Sequence, residues 1–138
     1  MSKKTDESPI MCIHRYSNKN GVVHSFISVR GRDICRTYEN ALSLLPVGIY
    51  PAYVFKSTDI TKSKIKILKR GEIAPCIKAG TKVDDLKMSI VACMHTSIDG
   101  GIQTFNALKR LIDELPLGKM IMIEIQDHYI EFIAPHTL

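Results

Sequence analysis

Apolar residues recur at every second position in one segment of this chain after another, and at helical spacing in only one. Val22 to Val29 puts Val23, Ser25, Ile27 and Val29 on one face and Val22, His24, Phe26 and Ser28 on the other, which is the alternation of a strand with two distinct sides. Lys62 to Ile67 alternates as strictly, with Lys62, Lys64 and Lys66 opposite Ser63, Ile65 and Ile67. Further strands are expected over Pro9 to Arg15, Ile34 to Glu39, Ile49 to Phe55, Ile73 to Ile77, Ser89 to Met94, Met120 to Ile125 and Tyr129 to Ile133. Asn20-Gly21 carries a tight-hairpin signal. Arg30-Gly31-Arg32-Asp33 reads as a second turn and Asp127-His128 as a later one. The first three strands therefore predict a β-meander.

The exception to period two is Gly101 to Leu115. Phe105, Leu108, Leu111, Ile112 and Leu115 share one helical face, Ile102 lies one turn earlier, and Pro116 and Gly118 stop the run. Asn40 to Leu45 reads as a connector holding one helical turn. Many strands, one helix and two more strands predict an α+β domain. Its expected form is a mostly antiparallel sheet or small open barrel with one packed helix, about residues 101–115. The length of 138 residues fits one domain, divided into a polar tail, 1–8, and a single folded unit, 9–138. Trp is absent and aromatics make up 7%, so the core must rest on Ile, Leu, Val and Met.

Nineteen basic residues against fourteen acidic leave a formal charge of +5. That favours an anionic partner (nucleic acid, a phosphate-bearing small molecule, the cell envelope) and fits equally a domain with surplus surface lysines. No apolar run approaches the roughly 20 residues of a membrane span, and no signal-type segment follows the polar tail. The expected location is a host cytoplasm or a virion assembled there. Cys12, Cys35, Cys76 and Cys93 show no C-x-x-C spacing and read as buried free thiols. His14, His24, His95, His128 and His136 form no i+2 or i+4 pair, so neither metal nor cofactor is expected. The lysine row at 62, 64 and 66 reads as the solvated face of an edge strand, where lysines deter edge pairing; an anion-binding stripe is the alternative. Arg30, Arg32 and Arg36 are basic candidates for nucleic acid. Tyr16, Tyr38, Tyr50 and Tyr53 form no visible stripe with the basic residues, so nucleic acid is not the expected partner.

Three segments carry a resemblance: Leu45-Pro46-Val47-Gly48-Ile49-Tyr50, Ile77-Lys78-Ala79-Gly80-Thr81 with Met88-Ser89-Ile90-Val91-Ala92-Cys93, and Ile121-Met122-Ile123-Glu124-Ile125. In this order and spacing the chain resembles a family of small phage and bacterial domains of unknown function that look distantly like L,D-transpeptidase catalytic domains. Arg15 and Thr37-Tyr38-Glu39 add weaker matches. In transpeptidase-like members a cysteine thiolate attacks a peptide carbonyl, a histidine takes its proton and backbone N–H groups hold the oxyanion. Here the family's His position reads Lys78, its Asn reads Thr81, and its Gly-Cys pair reads Met88-Ser89. The resemblance thus implies a scaffold whose catalytic residues are replaced.

A Ser89–Lys78 dyad would need a lysine neutralised by desolvation. A displaced Cys93–His95 pair would need an exposed thiol in an electropositive setting. Lys78 instead places a fixed positive charge where the family has a proton acceptor. Lys78, Thr81 and the Gly100-Gly101 helix start with Thr104 are therefore the candidate anion-binding residues. The expected function is a non-enzymatic binding or assembly module, a virion component or holder of a small anionic ligand, with protein partners or self-association. The alternative is an acyl-transfer or hydrolytic enzyme acting on cell-wall peptide through Ser89 or Cys93.

Overall fold

Two tight turns set the first half of the sheet. Asn20 and Gly21 have φ of 54° and 79°, and Arg30 and Gly31 have φ of 50° and 84°. Two successive left-handed residues make the turn whose twist matches paired strands. They join β1 (Met11–Lys19), β2 (Val22–Val29) and β3 (Arg32–Asn40) into the expected meander. Both turns are tighter than the sequence implies, because Asn18, Lys19, Arg32 and Asp33 belong to the strands. The computed structural model describes residues 8–69, 74–79, 89–93 and 101–128, without the side chains of Ser89, Cys93 and residues 101–104. The expected strand from Tyr129 to Ile133 lies outside the described residues.

The remaining elements are β4 (Gly48–Phe55), β5 (Lys64–Ile67), β6 (Cys76–Lys78), β7 (Ser89–Cys93), α1 (Gly101–Asp113) and β8 (Ile121–Asp127). The strands run β1-β2-β3-β7-β6-β5-β4-β8 around a closed barrel. The expectation of an open barrel is corrected here. β8 pairs on one side with β4, antiparallel (Gly48 beside Ile125), and on the other with β1, parallel (Met11 beside Ile123). No edge is left. The second parallel pair is β6 with β7, and the other six pairings are antiparallel.

Closure also corrects the reading of the lysine row. β5 lies between β4 and β6, so Lys64 and Lys66 protect no edge. Lys62 sits in a 3₁₀ turn (Ile60–Lys62) before the strand.

The core follows from period two. Met11 and Ile13 of β1, Ile27 and Val29 of β2, Ile65 and Ile67 of β5, Ile77 of β6, Ile90 and Ala92 of β7, and Ile121, Ile123 and Ile125 of β8 form one buried cluster. An eight-stranded barrel is just wide enough to be filled by side chains, and each fully buried aliphatic adds about 1.5–3 kcal/mol. The helix completes this cluster, packing against β7 and β3. Ala107, Leu108, Leu111 and Ile112 are buried, whereas Phe105 is only half-buried. The stripe is thus turned so that small Ala107 faces the barrel. The helix end tightens through bonds from Glu114 N to Leu111 O and from Leu115 N to Ile112 O, 3.0 and 3.1 Å. Arg30 donates to the Glu114 carbonyl at 2.9 Å, satisfying a helix-end acceptor, and Arg32 pairs with the Glu114 carboxylate at 2.7 Å. Among the described residues no helix is long and apolar enough to cross a membrane.

Candidate functional site

The strand pair β6–β7 carries Lys78, Ser89 and Cys93, three of the candidate residues from the sequence. Its parallel register sets Cys76 beside Ser89, Ile77 beside Ile90 and Lys78 beside Val91. Ile77, Ile90 and Ala92 are the inward set, so Lys78 and Val91 belong to the outer set. Lys78 is half-buried there and lies level with the midpoint between positions 89 and 93. Backbone placement therefore brings Lys78 near both nucleophile candidates on one strand pair. The side chains of Ser89, Cys93 and Thr104 are not described, Gly101 opens the helix, and Thr81, His95 and Gly100 lie outside the described residues.

The outer positions of neighbouring strands continue from this pair. Val91 lies beside Tyr38, and Tyr38 beside His24. Arg36 lies beside Cys93 on one side and Phe26 on the other, and Phe26 beside His14. His14 stacks on Phe26 with centroids 4.4 Å apart and on His128 at 5.6 Å. His24 meets Tyr38 edge-on at 4.7 Å. The Arg36 guanidinium carbon lies 5.9 Å from the centroids of both Tyr16 and Phe26. Tyr16 thus does approach a basic residue, through pairing that spans three strands.

Burial pushes the His14 and His24 imidazoles below the ordinary value of 6.5, helped by His128 and Lys19 respectively; Asp33, Gln126 and Glu124 oppose the shift at His14. Below pH 6.5 the unfolded chain takes up protons that the folded one resists. Stability is therefore expected to fall as pH drops from about 6.5 towards 5. The double variant His14→Phe with His24→Phe should show a flatter melting-temperature profile over that window. Profiles that run parallel to the wild type would remove the imidazoles as the cause.

Inside the barrel, at the level of the β1–β2 turn, the alternation places charge rather than hydrocarbon. Arg15 and Glu39 are each 2% exposed and pair through Arg15 Nε to Glu39 Oε2 at 3.2 Å and Nη2 to Oε1 at 3.1 Å. Ser25 donates to Glu39 Oε2 at 3.5 Å, and Asp127 lies 3.6 Å from Arg15 Nη1. Thr37 Oγ1 is buried beside them without a hydrogen-bond partner. This two-pronged pair is an interior brace, reached by no pattern visible in a single strand.

The opposite wall presents a different surface. On the outer side of β4, Ile49, Tyr53 and Phe55 are 53%, 38% and 48% exposed. Across the ladder Tyr53 lies beside Lys66 and Phe55 beside Lys64, and both lysines are exposed. Lys64 Nζ sits 5.9 Å from the Phe55 ring centroid, within range of a cation–π contact worth about 0.5–1 kcal/mol at such a site. On the other flank Glu124 lies beside Ile49 and Met122 beside Pro51. The surface is therefore basic on the β5 side and acidic towards β8. The aromatic partners of the lysine row were missed in the sequence because β4 reads as a nearly continuous apolar run.

Thiol chemistry finds little support among the described residues. Cys35 is buried, and Cys12 and Cys76 are half-buried. Burial, with Glu124 beside it, raises the Cys12 thiol to about 11, which keeps it protonated at neutral pH. No group of three or more His, Cys, Asp or Glu among the described residues is placed to hold a metal ion. No family model, curated protein or solved structure matches the chain.

Proposed function

We propose that this chain is a non-enzymatic binding or assembly module of phage or phage-like type, on a transpeptidase-like scaffold whose catalytic positions are replaced. Its partner is anionic and meets it on the open outer face of β4 and β5. The observation that supports this reading is the exposed Tyr53–Phe55 pair beside Lys64 and Lys66. Neither the closed core nor edge protection accounts for these side chains, and a contiguous exposed apolar stripe bordered by charge favours a partner surface. The formal charge of +5 agrees in sign.

Retention on heparin-agarose tests the reading. Lys64→Glu combined with Lys66→Glu should elute at clearly lower salt than the wild type, while Lys78→Ala should elute with it. Loss of retention in Lys78→Ala alone would move the anion to β6 and overturn the placement. A second reading, an acyl-transfer or hydrolytic enzyme on cell-wall peptide, has one observation in its favour. The β6–β7 register holds Lys78 level with the stretch between Ser89 and Cys93. Incubation with an activated peptide ester followed by mass spectrometry separates the two. An acyl adduct on Ser89 or Cys93 supports the enzyme, and unmodified protein supports the module.

A further inference from the structure

We infer that the β4–β5 face binds single-stranded nucleic acid without sequence preference, bases stacking on Tyr53 and Phe55 while Lys64 and Lys66 meet the phosphates. This rests on the reading of that face as an anion-binding surface and names the ligand class. The two rings stand on one strand two residues apart, about 7 Å along it. Both are open to solvent, so each ring is within reach of a planar group. Each ring has its own lysine as cross-strand neighbour, Tyr53 with Lys66 and Phe55 with Lys64. A ring and a cation thus repeat together along the wall. A polymer carrying one planar group and one negative charge per unit fits that repeat, and a single strand of nucleic acid is such a polymer. A further exposed lysine, Lys62, lies in the turn just before β5.

Competing occupants fit less well. A duplex buries its base faces in its own stack and gives the rings nothing to receive. An extended peptide would add to a free strand edge, and the closed barrel has none. An anionic lipid surface would satisfy the lysines but gives two rings a repeat of about 7 Å no purpose. The cross-strand neighbours along the rings supply lysines rather than paired donors and acceptors in a fixed fork, so base identity would go unread and stacking would tolerate every base.

Fluorescence anisotropy with a labelled oligothymidine of about 20 nucleotides, longer than a typical single-domain site, tests the inference. The wild type should bind, with log affinity falling linearly with log salt. Tyr53→Ala and Phe55→Ala should each weaken binding about fivefold or more at fixed salt, and Tyr53→Phe should restore it. Lys64→Gln and Lys66→Gln should each lower the salt slope by about 0.7. The Phe and Gln variants leave the core untouched, so the outcome does not depend on the alanine variants folding. Absence of oligothymidine binding at low salt overturns the inference. So does equal affinity for a duplex of the same length, binding indifferent to both rings, or uptake by phosphatidylserine vesicles without oligothymidine binding. If the rings prove indifferent while heparin retention still depends on the lysines, the anionic-partner reading stands and the nucleic-acid ligand falls.

Discussion

Arg15→Ala is expected to destabilise the protein by about 3–5 kcal/mol, because it strands a buried carboxylate. Glu39 would keep only the Ser25 hydroxyl at 3.5 Å in place of two guanidinium bonds. Glu39→Ala should cost less, since Arg15 retains Asp127 at 3.6 Å, and that carboxylate is 41% exposed and reached by water. The double change Arg15→Met with Glu39→Leu should recover most of the loss, because a well-packed apolar pair avoids the desolvation that the ions suffer. Urea unfolding of all four proteins measures this, provided the m-values agree. Single variants that cost less than about 1 kcal/mol would mean that the brace is solvated in a way its burial denies.

This brace also shows where sequence reasoning reached and where it stopped. Arg15 stands in phase with Met11 and Ile13, and Glu39 in phase with Cys35 and Thr37. The usual expectation that strand charges face water runs against such a phase, so each residue read as a strand terminus rather than an interior group. Their meeting depends on the β1–β2–β3 register, which bulges between Arg15 and Ser17 and again between Ile27 and Ser28 shift by a residue. No single-strand pattern carries that shift.

Local signals were legible where the physics is local. The left-handed Asn20-Gly21 turn follows from residue type, the Arg30-Gly31 turn from its glycine alone, the two faces of β2 from alternation, and the helix from its stripe and its Pro116 stop. Closure was not legible. It rests on β8 reaching β1 in parallel, a pairing of the first and last described strands that no neighbouring residues encode. The same gap hid the candidate surface. The lysines of β5 alternate openly, but Tyr50, Ala52 and Val54 are as apolar as Ile49, Tyr53 and Phe55. Only the pairing of β4 with β5 and β8 decides which set faces out. Lys78 and Ser89 were singled out by the resemblance and Cys93 by its nearness to His95; that 78 lies level with 91, between 89 and 93, is set by the β6–β7 register, which the sequence does not carry.

Leu111→Ala is the second large effect, at about 2–5 kcal/mol of lost stability. Leu111 is fully buried in the cluster that joins the helix to the inward residues of β7 and β3. A barrel already filled by aliphatic side chains has little room to collapse into the space a leucine leaves, which puts the cost towards the upper part of that range. Phe105→Ala provides the contrast. The ring is larger, but it is only half-buried, so its loss should cost clearly less than that of Leu111, against the ranking that side-chain size alone would give. Ala107→Leu probes the close approach directly. Ala107 is fully buried, and extra methylenes there should push the helix off the barrel at a cost of about 1–3 kcal/mol. Thermal and urea unfolding of the three variants order these effects. If Phe105→Ala proves the most costly, the helix stripe faces the barrel through Phe105 rather than through Ala107 and Leu111, and the helix is rotated about its axis on the barrel.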